Sequence, residues 1–262
     1  MRKRWSTPSW RTVCVMAAGV LGVAIATSLG FWQLDRAQQK MDWQARMQAQ
    51  QQAQPLHNDE LQQLLQSPTS AQQWHAQLHR RVQLQGHWLA EHTLYLDNRQ
   101  MHGRPGFFVL TPLQLPNGGV VLVQRGWIAR NFQDRNQLQP VDTPSALVEI
   151  HGYVSGPPAR LLAMGEETLS SVTTDNPIRQ NVDLSALAQS TGWLLAPGTV
   201  VQMGAASDGL QRDWHQPDSG VATHHGYAFQ WFAIATVLAG MLVWFHVLRP
   251  ARVKRNLHHD SP

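Results

Sequence analysis

Three residues near the C-terminal apolar run are spaced for chemistry: His224, Tyr227 and Trp231 stand at i, i+3 and i+7 and would stack along one face of a helix. A neutral imidazole is a common iron ligand and aromatic rings suit a flat macrocycle. Such a face would hold a haem, with His224 as the metal ligand and the macrocycle edge in a membrane. The plainer alternative makes Tyr227 and Trp231 interfacial anchors and His224 a polar residue where the helix begins, and residue types alone favour it. A second group, Trp32, Arg36 and Lys40, falls at i, i+4 and i+8. Its cations would meet haem propionates or, more simply, lipid headgroups. Gln33 and Gln230 lie at matching depth in the two apolar runs, a placement that predicts packing and a hydrogen bond across a helix pair.

Other candidates carry less. His75 and His79 are four apart and would share a helix face, but no third metal ligand stands at useful spacing, so they read as surface residues, as does His258-His259. The signatures of P-loops, dinucleotide folds, serine hydrolases and zinc proteases are absent, and so is C-x-x-C-H, which excludes covalent haem c. No acid, base or nucleophile constellation advertises an enzyme. Arg125-Gly126-Trp127 reads as structure, the glycine permitting close backbone approach and Trp127 filling a core, and Gly86 reads as a bulge or close packing.

These side chains need elements to hold them, and the charge pattern supplies two. Between Arg11 and Asp35 lie 23 residues without a formal charge, and between Asp218 and Arg249 lie 30 more, of which Tyr227 to Leu248 form the apolar part. Each is long enough to cross a bilayer as helix, and a charge at mid-bilayer costs roughly 2.5–3.5 kcal/mol on insertion scales. Of the 21 Lys and Arg, eight sit in the tails (Arg2, Lys3, Arg4 and Arg11; Arg249, Arg252, Lys254 and Arg255), while residues 36–218 hold the other 13 against 15 acids. The positive-inside rule therefore places both termini in the cytoplasm. It also excludes nucleic-acid binding by bulk basicity, because the folded middle is not cationic. A cleaved leader ending at Ala24-Ile25-Ala26 is the rival reading of the first run. The apolar run continues eight residues past Ala26, to Leu34, with the interfacial Phe31-Trp32 near its end, which suits an uncleaved anchor better.

The expected organisation is a basic tail (1–11), a first span (12–34), an external domain (35–224), a second span (225–248) and a basic tail (249–262). Cys14 is the one cysteine, so no disulfide contributes. In the external segment Gln38–Gln54 reads as a solvated helical extension of the first span. A helix follows through Leu61, Leu64, Leu65, Trp74 and Leu78, broken at Ser67-Pro68. From Arg81 the period changes to strands: RVQLQGHWL and TLYLDN alternate, while FFVLTPLQL and VVLVQRGWIA flank the hairpin signal Pro116-Asn117-Gly118-Gly119. EIHGYVSG and TVVQM add strands, with a short helix at SALAQSTGW. The fold class is α+β: two transmembrane helices flanking an external, mainly antiparallel β domain with short helices.

The same residues carry a family resemblance. Leu29-Gly30-Phe31-Trp32-Gln33-Leu34-Asp35-Arg36 followed by Lys40 resembles the first-span signature of the Surfeit-locus-one family of cytochrome c oxidase assembly factors. Arg81-Val82 with Gly86, Tyr95-Leu96-Asp97-Asn98-Arg99, Gly106 with Leu110-Thr111-Pro112-Leu113, and Val121-Leu122-Val123-Gln124-Arg125-Gly126-Trp127 match its external domain in order. His224-His225-Gly226-Tyr227-Ala228-Phe229-Gln230-Trp231-Phe232 is similar to its second-span motif. The resemblance implies a bacterial inner-membrane (periplasm-facing), non-enzymatic factor that assists haem a delivery to the oxidase catalytic subunit. Haem a synthase is a further partner, and the His224 position is the haem-linked residue. A scaffold that stabilises the subunit without touching haem is the alternative. Gln124, Ala129 and His225 depart from the usual Asn, Pro and Leu, and His225 leaves two imidazoles as alternatives for the ligand.

Overall fold

The computed structural model describes residues 9–134, 137–161, 177–214 and 220–248. The tail cations other than Arg11, and His258-His259, lie outside them. The chain divides into two units, residues 1–45 with 218–262, and residues 46–217.

Helix α1 (Trp10–Gln52) is one unbroken helix of 43 residues. Beyond the apolar stretch it runs on through Ala, Gln, Met and Arg, all strong helix formers, and meets no proline until Pro55, so nothing stops it at Asp35. Helix α5 (Val221–Val243) opens at Gly220, whose φ is 61°, and passes into a π turn, Trp244–Leu248. Both are long and apolar enough to cross a membrane, which fits a membrane protein.

In the first unit α1 and α5 meet along a seam of small residues. Ala26, Ala37, Ala228 and Ala235 are buried there, although most side chains on both helices are exposed. A Cβ at Gly19 would stand 2.5 Å from Leu242, one at Gly22 3.5 Å from Leu238, and one at Gly30 2.7 Å from the Phe232 ring. These contacts descend α1 as they ascend α5, so the helices are antiparallel. The small residues of α1 make room for Leu242, Leu238 and Phe232 of α5, and dispersion favours such a pair where apolar lipid offers no hydrophobic drive.

The second unit is a closed barrel with three short α-helices among its described residues. Strands β1 (Arg81–Trp88), β2 (Leu94–Met101), β3 (Arg104–Gln114), β4 (Val120–Ala129), β5 (Val148–Ser155), β6 (Ile178–Arg179) and β7 (Leu195–Gln202) form one sheet in the order β1-β5-β7-β4-β3-β2-β6. The 11-residue β3 is long enough to pair with β2 along its first part and with β1 at its end, through His87–Gln114 and Trp88–Leu113. That pairing closes a five-stranded ring. β4–β7 and β2–β6 are parallel and all other pairs antiparallel.

β1 buries alternate residues, Val82, Leu84 and Trp88, while β4 is buried on both faces, which is why its sequence is a continuous apolar run. Helices α2 (Asn58–Gln66) and α3 (Ser70–Ala76) add Leu61, Leu64, Leu65 and Trp74 to the main core. Trp74 Nε1 also donates to the Ser155 carbonyl at 2.8 Å. Helix α4 (Leu184–Thr191) is capped by Asp183, which accepts from the amides of Ser185 and Ala186, and ends at Gly192 with φ 71°.

The glycine expectations resolve as close approach. β1 has no bulge at Gly86, where a Cβ would strike the Gln114 carbonyl as the ring closes. At Gly126 a Cβ would stand 2.6 Å from Leu210. The segment 205–212 lies against β4 there through an isolated Trp127–Gln211 bridge.

Candidate functional site

The site is built on the seam of the first unit. His224 lies in the first turn of α5, and its Nδ1 is 2.7 Å from Oε1 of Gln33 on α1. Both side chains are half-buried. The amide oxygen can only accept, so Nδ1 carries the proton and donates it, and the lone pair of the neutral ring sits on Nε2. Lower on the seam Phe31 meets Phe232 edge-on, with ring centroids 5.3 Å apart. At the outer end Lys40 Nζ would stand 3.2 Å from a Cβ at Gly220, the residue that opens α5.

The predicted pairing of Gln33 with Gln230 is corrected here. His224 meets Gln33 instead, and Gln230 differs from His224 both in depth, by about 9 Å along the axis, and in rotational phase. Gln230 lies six residues beyond His224, about a third of a turn around the helix, and is exposed. The small residues Gly30 and Ala37, which flank Gln33 at −3 and +4, mark its face as the seam face, a signal already present in the sequence.

The remaining predicted residues fall as follows. Trp231 is half-buried, Tyr227 is 49% exposed and His225 is exposed. The Arg36 guanidinium lies over the Trp32 ring, 5.7 Å from its centroid, and donates to Gln39 Oε1 at 2.9 Å. The structure therefore brings together His224 with Gln33, and Arg36 with Trp32.

His75 and His79 do not share a helix face. α3 ends at Ala76, and His79 sits beyond it at φ 70° with its ring stacked on Tyr153, centroids 6.5 Å apart. Burial lowers the His79 pKa and raises that of Tyr153.

The second unit holds two features that local sequence signals did not expose. One is a groove of about 1010 Å³ on the outer barrel wall, lined by Phe108, Gln124, Tyr153, Thr199 and Trp214 from strands distant in sequence. Trp214 is pinned there, its Nε1 donating to the Gln202 carbonyl at 2.8 Å and its ring meeting Phe108 edge-on. The other is an ion cluster around Arg125, which is fully buried. Arg125 donates to Thr143 Oγ1 and the Asp142 carbonyl, both at 2.7 Å, and pairs with Asp208 at 3.4 Å. Burial pulls its pKa below the ordinary guanidinium value, and Asp208 opposes that shift. The Arg-Gly-Trp motif is thus structural, with Trp127 buried and its Nε1 bound to the Arg99 carbonyl at 2.9 Å.

Comparison with known proteins adds the family. The model of the SURF1 family matches residues 20–236, which takes in the barrel and most of both long helices. A SURF1-like protein of Rickettsia felis is 26% identical over 224 residues, covering 82% of this chain and 88% of the relative. One from Rickettsia bellii is 23% identical over 247 residues, 90% of this chain and 91% of its own.

Proposed function

The chain belongs to the SURF1 family, whose general role is cytochrome c oxidase assembly, and from that membership we propose that it handles haem a as cargo on its way to the oxidase catalytic subunit. The observation that carries this reading is one half-buried imidazole, His224, at the start of an apolar helix that also bears Tyr227 and Trp231 on neighbouring turns. A single imidazole suits a metal that brings its own four equatorial nitrogens. His224 would ligate the iron, Tyr227 and Trp231 would give ring contact, and Arg36 with Trp32 would meet a propionate and the macrocycle edge. Haem a synthase is the source such a carrier would draw on. The family is one of assembly factors, and the reading needs binding and release without turnover chemistry.

The membrane setting belongs to the same proposal: a bacterial inner membrane, both termini cytoplasmic, and the barrel on the periplasmic side. The two apolar helices with basic outer flanks support it. Labelling of single cysteines on a Cys14→Ser background should modify residues 55–210 from the periplasm. Protection throughout that segment would refute the hairpin.

The test of the function is the absorbance spectrum of the detergent-purified protein from cells that make haem a. Bound haem a in the wild-type protein is the expected result. A haem-free protein that still captures the oxidase subunit would favour the second reading, a scaffold that never touches haem. The observation on its side is the aromatic groove of the barrel, a concave surface of the kind that receives partner side chains.

A further inference from the structure

The bond between Gln33 and His224 does more than join two helices. We propose that Gln33 is the positioning residue of the imidazole site: it locks His224 in the Nδ1–H tautomer, so that Nε2 is the nitrogen offered to iron. This rests on the haem reading above for the identity of the ligand, but the lock itself is a property of the protein alone.

The argument starts from the atoms. A neutral imidazole has one proton and two nitrogens, and a free histidine exchanges between tautomers. At 2.7 Å an amide oxygen rewards only the form with hydrogen on Nδ1. The seam makes the acceptor reliable. On α1, Gly30 leaves room for the Phe232 ring and Ala37 is fully buried, so small residues flank Gln33 and its amide reaches across without competing for space. A hydrogen-bond acceptor on the far nitrogen is also what orients metal-bound histidines and raises their basicity.

The lock decides between the two adjacent imidazoles. His225 points about 100° away from His224, is exposed, and has no hydrogen bond to its ring among the described residues. It is therefore free to turn and to exchange tautomers. His224 alone is presented with a fixed ring plane and a fixed lone pair.

A bond serving only as glue between helices would leave the ring's chemistry indifferent to its loss. The two roles separate in one experiment on the full-length protein in detergent, with ¹⁵N-labelled histidine and haemin as the probe. The His224 signals, identified by their loss in His224→Ala, should show the Nδ1–H tautomer in the haemin-free wild type and a mixture in Gln33→Leu. Haemin affinity should fall about 10–100-fold in Gln33→Leu, the range for losing an outer-shell partner of a metal ligand. Gln33→Glu keeps an acceptor, so it should hold the tautomer, retain binding and raise the iron–nitrogen stretching frequency in the Raman spectrum. It also keeps the test alive if the leucine variant fails to fold.

A wild-type ring in the Nε2–H form overturns the proposal, as does a Gln33→Leu protein with unchanged tautomer and unchanged haemin affinity. A tautomer that shifts in Gln33→Leu while neither protein binds haemin upholds the lock and removes the haem reading instead.

Discussion

Arg212 donates its Nε hydrogen to the main-chain oxygen of Arg125 at 2.7 Å, so two guanidinium groups with little exposed surface are tied to each other as well as to Asp208. Asp208 lies 3.0 Å from Arg212 and 3.4 Å from Arg125, and the Arg125 guanidinium also lies over the Trp88 ring at 4.6 Å. Asp208→Asn should therefore strand two guanidinium charges in a low-dielectric interior. Breaking a buried pair costs about 3–5 kcal/mol, and the lower end applies because the Asp208 side chain keeps 29% of its surface in water. Asparagine tolerates the φ of 59° that Asp208 adopts, so backbone strain does not confuse the result. Thermal unfolding of the solubilised protein should show a midpoint lowered by ~6–12 °C. An unmoved midpoint would mean that the aspartate contributes nothing net.

The ligand assignment is tested by neighbours. His224→Ala should abolish or strongly shift the bound-haem spectrum, because alanine offers no lone pair to iron. His225→Ala should leave it intact, and Tyr227→Phe should largely preserve it. Arg36→Ala should weaken binding without altering axial ligation, since its partners are Trp32 and Gln39 and its proposed role is charge toward a propionate. An unaltered spectrum at normal occupancy in both histidine variants would dismiss the imidazole ligand.

Helix pairing in the first unit depends on Gly30. Any side chain there meets the Phe232 ring, 2.7 Å from a Cβ, so Gly30→Leu should force the helices apart. A thiol crosslink between Gly22→Cys and Leu238→Cys, made with a short bifunctional reagent on a Cys14→Ser background, reports the approach, because a Cβ at Gly22 would stand 3.5 Å from the Leu238 Cδ1. Its yield should collapse in Gly30→Leu and recover when Phe232→Ala is added. Full yield in Gly30→Leu alone would show that the helices are held by something other than this contact.

Helix α4 should carry an acid-sensitive cap. The Ser185 hydroxyl and the Ala186 amide donate to Asp183 and hold its carboxyl below the usual carboxylate value. The unfolded chain then binds the proton more readily than the folded one. The cap's contribution is accordingly present above the ordinary aspartate pKa of ~3.9 and is lost as pH falls through the lower folded value. Asp183→Ala should cost about 1 kcal/mol near neutral pH. Asp183→Asn, which still accepts the amides, should keep most of the stability and flatten its fall below pH 4. Equal acid sensitivity in Asn and wild-type proteins would assign that sensitivity to other carboxylates.

Much of the barrel was legible because its signals are local. Alternation in RVQLQGHW, the Pro-Asn-Gly-Gly turn and the continuous apolar β4 each reflect the burial of one strand, and each strand formed where its pattern lay. The parallel β4–β7 pairing was not legible, because 65 residues separate the strands and nothing in either names the other. The two-residue β6 is too short to carry a period. Arg125 and Asp208 stand 83 positions apart, beyond any spacing rule. The Gln33–His224 bond was missed for a different reason: depth along a helix is only roughly counted from its charged flank, and the side chain's angle about the axis shows only in the row of small residues that marks the contact face.

Closure of the barrel by β1 against β3 restricts how a partner can hold this domain. A ring has no free strand edge, and the sheet's outer limit is β2, shielded at Tyr95 and Leu96 by the two-residue β6. Recognition by adding a strand, which builds a continuous main-chain ladder, therefore has little to join onto. A client would be gripped through side chains and pockets instead, where affinity rests on a few anchors and dissociation does not require unzipping a sheet. For a member of a family of assembly factors, that geometry favours turnover of a complex over permanence.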